Sequence, residues 1–286
     1  MTARIDAHQH FWKLARGDYR WLGPELAPLY RDFGPQDLAP LRARHGIAGS
    51  VVVQAADTLA ETEFLLKIAG NEPSVLGVVG WVELESRNAP DTLARLAQHP
   101  KFVGVRPMLQ DLADERWILR ESVAPALHAL VELDLAFDAL VKPRHLPHLV
   151  TLVERHPELR IVIDHGAKPD IAAGPGWSGF SAWVSHLRTL GRQPLLHCKL
   201  SGLATEARAD WTPEDLRPHV DALLGAFGPE RMMWGSDWPV VELGGGYDRW
   251  ASVSHALVAP LNPAERLALF GATAAGFYGL ELNTLP

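Results

Sequence analysis

The sequence predicts an α/β protein, a single distorted (β/α)8 barrel spanning residues 1–286. Three observations carry this. Eight short apolar or β-branched runs recur, each followed by a longer amphipathic stretch. Their starts are spaced as a βα unit of roughly 30 residues requires. The runs are apolar at consecutive positions, as strands covered by helices on both faces are, and eight such units fit a chain of 286 residues. A doubly wound open sheet would need a glycine-rich phosphate loop after its first strand. Here that strand runs into His8-Gln9-His10-Phe11-Trp12, which cannot cradle a pyrophosphate.

In chain order the predicted strands are Arg4–Ala7, Ser50–Gln54, Leu76–Val82, Phe102–Arg106, Leu135–Leu140, Arg160–Asp164, Leu195–Lys199 and Arg231–Ser236. Helical patterns fall between them at Glu61–Gly70, Ala89–Gln98, Glu121–Leu133, Leu146–His156, Gly179–Leu190 and Pro213–Phe227. Thr58 with Glu61 reads as a capping box, and Thr212-Pro213 as an N-cap followed by the first helical position. Two stretches depart from the repeat and are expected as long loops on the active face. One covers about 11–40 and is rich in Trp, Pro and Tyr; the other, about 166–178, is rich in Pro and Gly. No linker, low-complexity tract or repeated motif divides the chain.

Composition narrows the function classes. Hydrophobic residues make up 47% and charged residues 21%, an ordinary globular balance that excludes disorder. The net charge of −7 leaves no basic footprint for nucleic acid or an anionic membrane. Cys198 is the sole cysteine, so there is no internal disulfide framework and no zinc ribbon, and a reducing cytoplasm is the expected location. No apolar run approaches the roughly 20 residues of a membrane span. MTARIDAHQH lacks the basic and apolar regions of a signal peptide. The partner expected is a small molecule, with homo-oligomerisation left open. There is no G-x-S-x-G elbow, no phosphate-binding loop and no H-E-x-x-H.

Parallel strands all point the same way, so polar residues at their C-terminal ends should converge. These are His8 and His10, Gln54, Arg106, Asp138, Asp164-His165 with Lys168 beyond, Lys199 with Ser201, and Ser236-Asp237-Trp238. Two histidines two apart on a strand share a side. His8, His10, His165 and Asp237 form a plausible ligand set for one Zn²⁺, although an H-x-H pair can equally be structural. Asp237, shielded by Trp234, Trp238 and Pro239, suits a general base whose pKa desolvation would raise. Asp164 reads as a strand-end residue bonded to backbone, since adjacent strand side chains face opposite ways. Arg106, Lys168 and Lys199 offer charge to polarise a carbonyl or hold an anionic product, or else pair with local acids. His197 shares a face with Lys199; Cys198 points away as a core thiol. Trp12, Trp21, Trp177, Trp234 and Trp238 lie near the active-face loops, where Trp12 and Trp238 with Gln54 are read as substrate contacts. Trp117, Trp183, Trp211 and Trp250 read as packing residues.

IDAHQHFW, VVVQA, GVRPML, VIDHGAKPD, KLSGL and WGSDWPV, in this order over essentially the whole chain, resemble the amidohydrolase-2 branch of the amidohydrolase superfamily. The resemblance is closest to its sugar lactonases, the L-fuconolactonase and L-rhamnono-lactonase group. It implies a distorted barrel that hydrolyses a sugar lactone to the aldonic acid, with His8 and His10 as the H-x-H pair, His165 as the later histidine and Asp237 as the strand-eight aspartate. Asp237 would activate water, and the three histidines would stabilise the oxyanion directly or through one divalent metal. Binuclear members carry a bridging lysine; only Lys199 could be proposed for it, which argues against two metals. Lactones are activated esters, so the metal is helpful without being obligatory. The alternatives are a metal-dependent decarboxylase of the same superfamily, a hydrolase of a non-sugar lactone, or a catalytically silent sugar-binding barrel.

Overall fold

Eight parallel strands form one sheet in sequential order: β1 (Arg4–Gln9), β2 (Ile47–Val53), β3 (Val75–Gly80), β4 (Phe102–Val105), β5 (Ala136–Ala139), β6 (Ile161–Ile163), β7 (Leu196–Leu200) and β8 (Met232–Trp234). Helices α1 (Pro35–His45), α2 (Leu59–Asn71), α3 (Ala89–Leu96), α4 (Ala124–Glu132), α5 (Leu146–Arg155), α6 (Phe180–Leu190) and α7 (Pro213–Phe227) connect them, followed by α8 (Tyr247–Leu257), α9 (Pro263–Leu267) and α10 (Thr273–Tyr278). This computed structural model describes residues 3–174 and 176–282, so residue 175 of the second long loop lies outside the described residues. Among them, no helix is long and apolar enough to cross a membrane.

The expected (β/α)8 barrel is found, and all eight strands fall where the apolar runs placed them. The first loop is shorter than expected because α1 already begins at Pro35. Pro35 supplies a preset φ at the first helical position, and the Asp37 carboxylate accepts the Gly34 N–H at 2.9 Å. The internal Pro40 hides this helix from a periodicity reading. The fourth helix starts at Ala124, not Glu121. Thr58 caps α2 through its hydroxyl, 3.1 Å from the Glu61 N–H, but Glu61 does not reach back to close a capping box. Its carboxylate turns to the preceding loop instead.

The ring closes unevenly. β8 does not share a ladder with β1; their main chains bond beyond the end of β8, where Gln9 pairs with Trp238, Asp237 N–H donates to His8 O (2.8 Å) and His10 N–H to Trp238 O (2.7 Å). Asp6 ties the same seam from outside the barrel, accepting from Ser236 N–H (2.8 Å) and from the Tyr247 hydroxyl (3.3 Å). Between sheet and helices lies the main core, which includes Ile161, Ile163, Leu200 and Trp234. A second cluster fills the barrel itself: Val51, Val53, Val79, Val103, Ala136, Val162 and Met233 meet Phe277, Tyr278 and Leu280. The last helix thus plugs the barrel. Phe277 packs on the His197 ring (4.7 Å) near the start of β7, and the Tyr278 hydroxyl donates to Asp138 (2.8 Å).

Several tryptophans fasten active-face loops to their neighbours. Trp183 donates its indole N–H to Gly166 O (2.9 Å), Trp250 to Gly235 O (2.8 Å) and Trp211 to Gly244 O (2.8 Å). All three are buried, so they pack as expected and also satisfy carbonyls that would otherwise be stranded.

The plug makes a measurable contribution. Tyr278→Phe removes one donor from a buried carboxylate and should lower the urea unfolding free energy by about 1–3 kcal/mol while leaving the far-UV circular dichroism unchanged.

Candidate active site

Two local breaks in strand alternation aim the histidines. Ile5 and Ala7 point into the barrel, so strict alternation would turn His8 outward. The β1–β2 register slips between Asp6 and Gln9, and His8 and His10 both face the axis. Such irregularities re-aim side chains beside active sites. The second break follows β6. Val162 and Asp164 face inward, which should send His165 to the outside. Instead φ is positive at four successive residues, His165 (53°), Gly166 (58°), Ala167 (64°) and Lys168 (48°). This left-handed turn swings the imidazole back over the pocket, at a cost of about 1–2 kcal/mol for each non-glycine residue.

His10 and His165 are each anchored through Nδ1, whereas His8 has a partner on both ring nitrogens. His10 Nδ1 lies 2.7 Å from Val53 O; a carbonyl only accepts, so Nδ1 carries the proton and Nε2 faces the pocket. His165 Nδ1 lies 2.9 Å from Ser201 Oγ. His8 is buried between Lys199 Nζ, 3.1 Å from Nδ1, and Arg106 Nη1, 3.3 Å from Nε2. Gly202, itself at φ 63°, leaves the space for the His165 ring: a Cβ there would stand 2.4 Å from Nδ1.

The three Nε2 atoms converge on one oxygen. Asp237 Oδ1 is 3.2 Å from His10, 3.6 Å from His8 and 3.9 Å from His165. Asp237, following β8, is also left-handed (φ 59°). Its pKa is not raised, contrary to the sequence expectation. Burial alone would push it up, but His165, His10 with its Nε2 3.2 Å away and the nearby His8 outweigh that and hold it well below the usual carboxylate range. Burial works the other way on the imidazoles, pulling His165 down to about 4 and His8 well below its ordinary value, the latter helped by Lys199. At neutral pH the site therefore offers an ionised Asp237 carboxylate beside neutral His8 and His165 rings.

Lone pairs of neutral imidazoles pointing at a carboxylate oxygen repel one another unless a cation lies among them. The donor atoms of His8, His165 and Asp237 all lie within 4.8 Å of one another. Four-coordinate bonds of 2.0–2.1 Å imply ligand–ligand spacings of roughly 3.3–3.4 Å, close to the His10 and His8 distances. The donor set fits a divalent cation of the zinc type.

Beneath the site lies a buried charge cluster. Lys199 Nζ is 2.5 Å from Asp138 and 3.0 Å from Asp164, and Arg106 Nη1 is 3.4 Å from Asp164. Asp164 is therefore no backbone-bonded strand end. It faces the axis, 3.4 Å from His8 Nδ1, and orients His8 rather than its neighbour His165.

The cavity above has a volume of about 250 Å³. His10, His165, Asp237 and Arg106 reach it, with Lys168, Trp21, Met108, Gln110 and Asp111 around them. Four residues expected on its wall are elsewhere. Lys199 is fully buried on its two carboxylates. Trp12 packs among Tyr19, Trp21 and Phe33, with its N–H on Arg31 O. Trp238 packs on Phe11 and Phe33. Gln54 is buried, donating to Arg106 O (2.6 Å). Trp21 takes the place assigned to Trp12: the first loop turns Trp12 inward as an anchor and leaves Trp21, 38% exposed, at the mouth. Gln110 and Asp111 gave no sequence signal, because they sit in a single short 3₁₀ turn after β4, too brief to show a periodicity.

A family model described as amidohydrolase matches residues 5–280. The chain is 49% identical to an L-fucono-1,5-lactonase of Burkholderia ambifaria over 98% of its own length and 97% of that protein's. It is 41% identical to an L-fucono-1,5-lactonase of Burkholderia multivorans, covering 97% of this chain and 96% of the other. A crystal structure of an amidohydrolase from Burkholderia multivorans with bound zinc superposes with a TM-score of 0.92 at 38% identity, over 98% of this chain and all of that one.

The seat of His165 can be tested directly. Gly202→Ala puts a Cβ into the imidazole at a left-handed position and should lower turnover on the order of 10²-fold, as displacing a catalytic group by about 1 Å does. Steady-state kinetics on the folded variant would read the loss.

Proposed function

Because the chain belongs to the amidohydrolase family, we propose that it hydrolyses a neutral sugar lactone, L-fucono-1,5-lactone or a close relative, to the aldonic acid. The observation that carries the chemistry is the ionised carboxylate of Asp237 at the pocket floor, ringed by three imidazoles and next to the Arg106 guanidinium. The full-length likeness to two L-fucono-1,5-lactonases supports the substrate.

The chain's own residues suffice to describe the proton path. Asp237 accepts a proton from a water as its oxygen bonds to the lactone carbonyl carbon. Arg106 presents N–H donors to the negative charge that gathers on the carbonyl oxygen. The ring C–O bond breaks, and Asp237 returns the proton to the departing ring oxygen. The new carboxylic acid ionises, so one proton is released to solvent per turnover. His8, His10, His165 and Asp237 are the residues that would hold a divalent cation, which when bound supplies Lewis-acid polarisation of an oxygen in the pocket. Trp238, Trp12 and Gln54 support the pocket from behind, and Lys199 acts from beneath through Asp164 and His8.

Charge pairing favours a neutral substrate. Both pocket cations are matched, Arg106 by Asp164 and Lys168 by Glu206 at 3.3 Å, while Asp111 adds negative charge at the rim. A lactone bearing a carboxylate or sulfonate would find no unpaired cation among the described residues that line the pocket and would meet that carboxylate.

A pH-indicator assay over L-fucono-, L-rhamnono-, L-galactono- and D-arabinono-lactones, with one carboxylate-bearing lactone, tests the reading. Acid release well above the spontaneous rate is expected for the neutral sugars and not for the anionic compound. No release from any neutral lactone overturns the proposal. Asp237→Asn should lower kcat by about 10²–10⁴-fold in the same assay; near wild-type turnover would remove Asp237 from the role of base.

A further inference from the structure

Glu61 lies outside the catalytic group, yet it is fully buried at the first turn of α2. Its carboxylate accepts N–H bonds from Ala55 (3.0 Å and 3.1 Å) and from Ala56 (2.7 Å). The segment it grips carries two pocket contacts. The Ala55 carbonyl accepts the indole N–H of Trp21 at 2.7 Å, and Trp21 and Ala55 both line the cavity. One residue earlier, the Gln54 carbonyl accepts from Arg106 Nη2. Thr58 joins the same turn to the first loop, donating from its hydroxyl to Asp18 (3.0 Å), which Arg16 holds at 2.6 Å.

We propose that Glu61 is a positioning residue for substrate binding: by clamping the 54–56 turn it sets Trp21, through Ala55 O, as the apolar platform against which the C–H face of the sugar lactone lies. The inference rests on the lactonase reading of the site. Aromatic rings present such a face to sugar C–H groups. The platform is at the mouth and half exposed, so it is not held by burial. Its orientation comes from the indole N–H bond and from edge-on packing against Trp12 (5.5 Å).

The clamp is sensitive to its charge state. A carboxylate can accept every one of these bonds, whereas a carboxylic acid must turn one O–H toward amide donors. Burial pushes the Glu61 pKa up to about 7, against the pull of the Ala56 and Ala55 amides and of Arg106 at the end of β4; Asp18 adds to the rise. The charged and titratable groups facing it are Arg106, Asp18 with its Arg16, and Tyr19 of the first loop. Below about pH 7 the clamp takes up a proton and loosens; above it the turn is gripped by the full carboxylate.

The experiment uses whichever aldonolactone the wild-type chain hydrolyses, with KM and kcat measured separately between about pH 5.5 and 8. In the wild type, KM should rise on the acid side of about pH 7. Glu61→Gln keeps the shape but presents an NH₂ to an amide donor. It should raise KM about tenfold at pH 8 with kcat within about twofold, and its KM should no longer depend on pH in this range. A residue that merely stabilised the fold would lower Tm without separating KM from kcat. Trp21→Phe keeps an exposed, smaller aromatic ring and removes the N–H bond to Ala55. It should raise KM several-fold and flatten the same pH limb, and it decides the matter if Glu61→Gln fails to fold. Wild-type KM values in the soluble variants overturn this inference alone; a wild-type chain inactive on every lactone overturns the lactonase reading and this inference with it.

Discussion

The arrangement depends on one buried ammonium. Lys199 stands at the barrel axis with no exposure to solvent, bonded to Asp138 and Asp164 and in contact with His8. Removing a charge from water costs several kcal/mol even after relaxation, and an ion pair repays that only when its geometry is well satisfied. Here the satisfaction runs upward and downward from the same atom. Upward, Asp164 and Lys199 between them fix His8 and take up Arg106, so the floor of the pocket is set. Downward, Asp138 takes the Tyr278 hydroxyl and so joins the floor to the last helix. Replacing any member with an apolar group would strand the others, which makes the set stiff as a unit.

That stiffness matters because the side chains above it sit in unfavourable backbone. His165, Ala167, Lys168 and Asp237 all occupy left-handed φ without being glycine. Conformations of this kind persist only where the surroundings over-determine them. The surroundings here are specific: Trp183 on Gly166 O, Ser201 on His165, the main-chain bonds between Asp237 and His8 and between His10 and Trp238. The tryptophan-rich composition finds its explanation in these loops as much as in the core, since an indole both fills volume and delivers one N–H to a stranded carbonyl.

Much of this was legible in the sequence, and the illegible part has a common cause. Consecutive apolar runs are a strong strand signal, so all eight strands were found; polar residues at their ends named His8, His10, His165 and Asp237, which the fold brings around one carboxylate oxygen. What failed was inference from strict alternation. It assigned Asp164 to backbone and offered no reason for His165 to face inward, because the left-handed turn after β6 is set by tertiary contacts. It likewise missed the register slip in β1, without which His8 would face the helices. Trp12 and Trp21 carry the same composition signal, and only the path of the first loop separates anchor from wall. The raised Asp237 pKa was expected from desolvation alone; the three imidazoles that reverse it come from strands far apart in sequence.

The barrel's plug also orders events in time. Asp138 leaves the translating ribosome roughly 140 residues before Tyr278, its hydroxyl partner, with Lys199 between them. The seam between His8 and Asp237 joins residues 229 apart in sequence. A nascent chain can therefore form βα units as they emerge, but the seam waits for Asp237 and Trp238, and the plug waits for Tyr278, to leave the exit tunnel. Vectorial synthesis thus leaves the sheet open and its interior unplugged until those two late segments arrive. Such long-separation contacts slow folding, since the loop entropy is spent before the contacts return it.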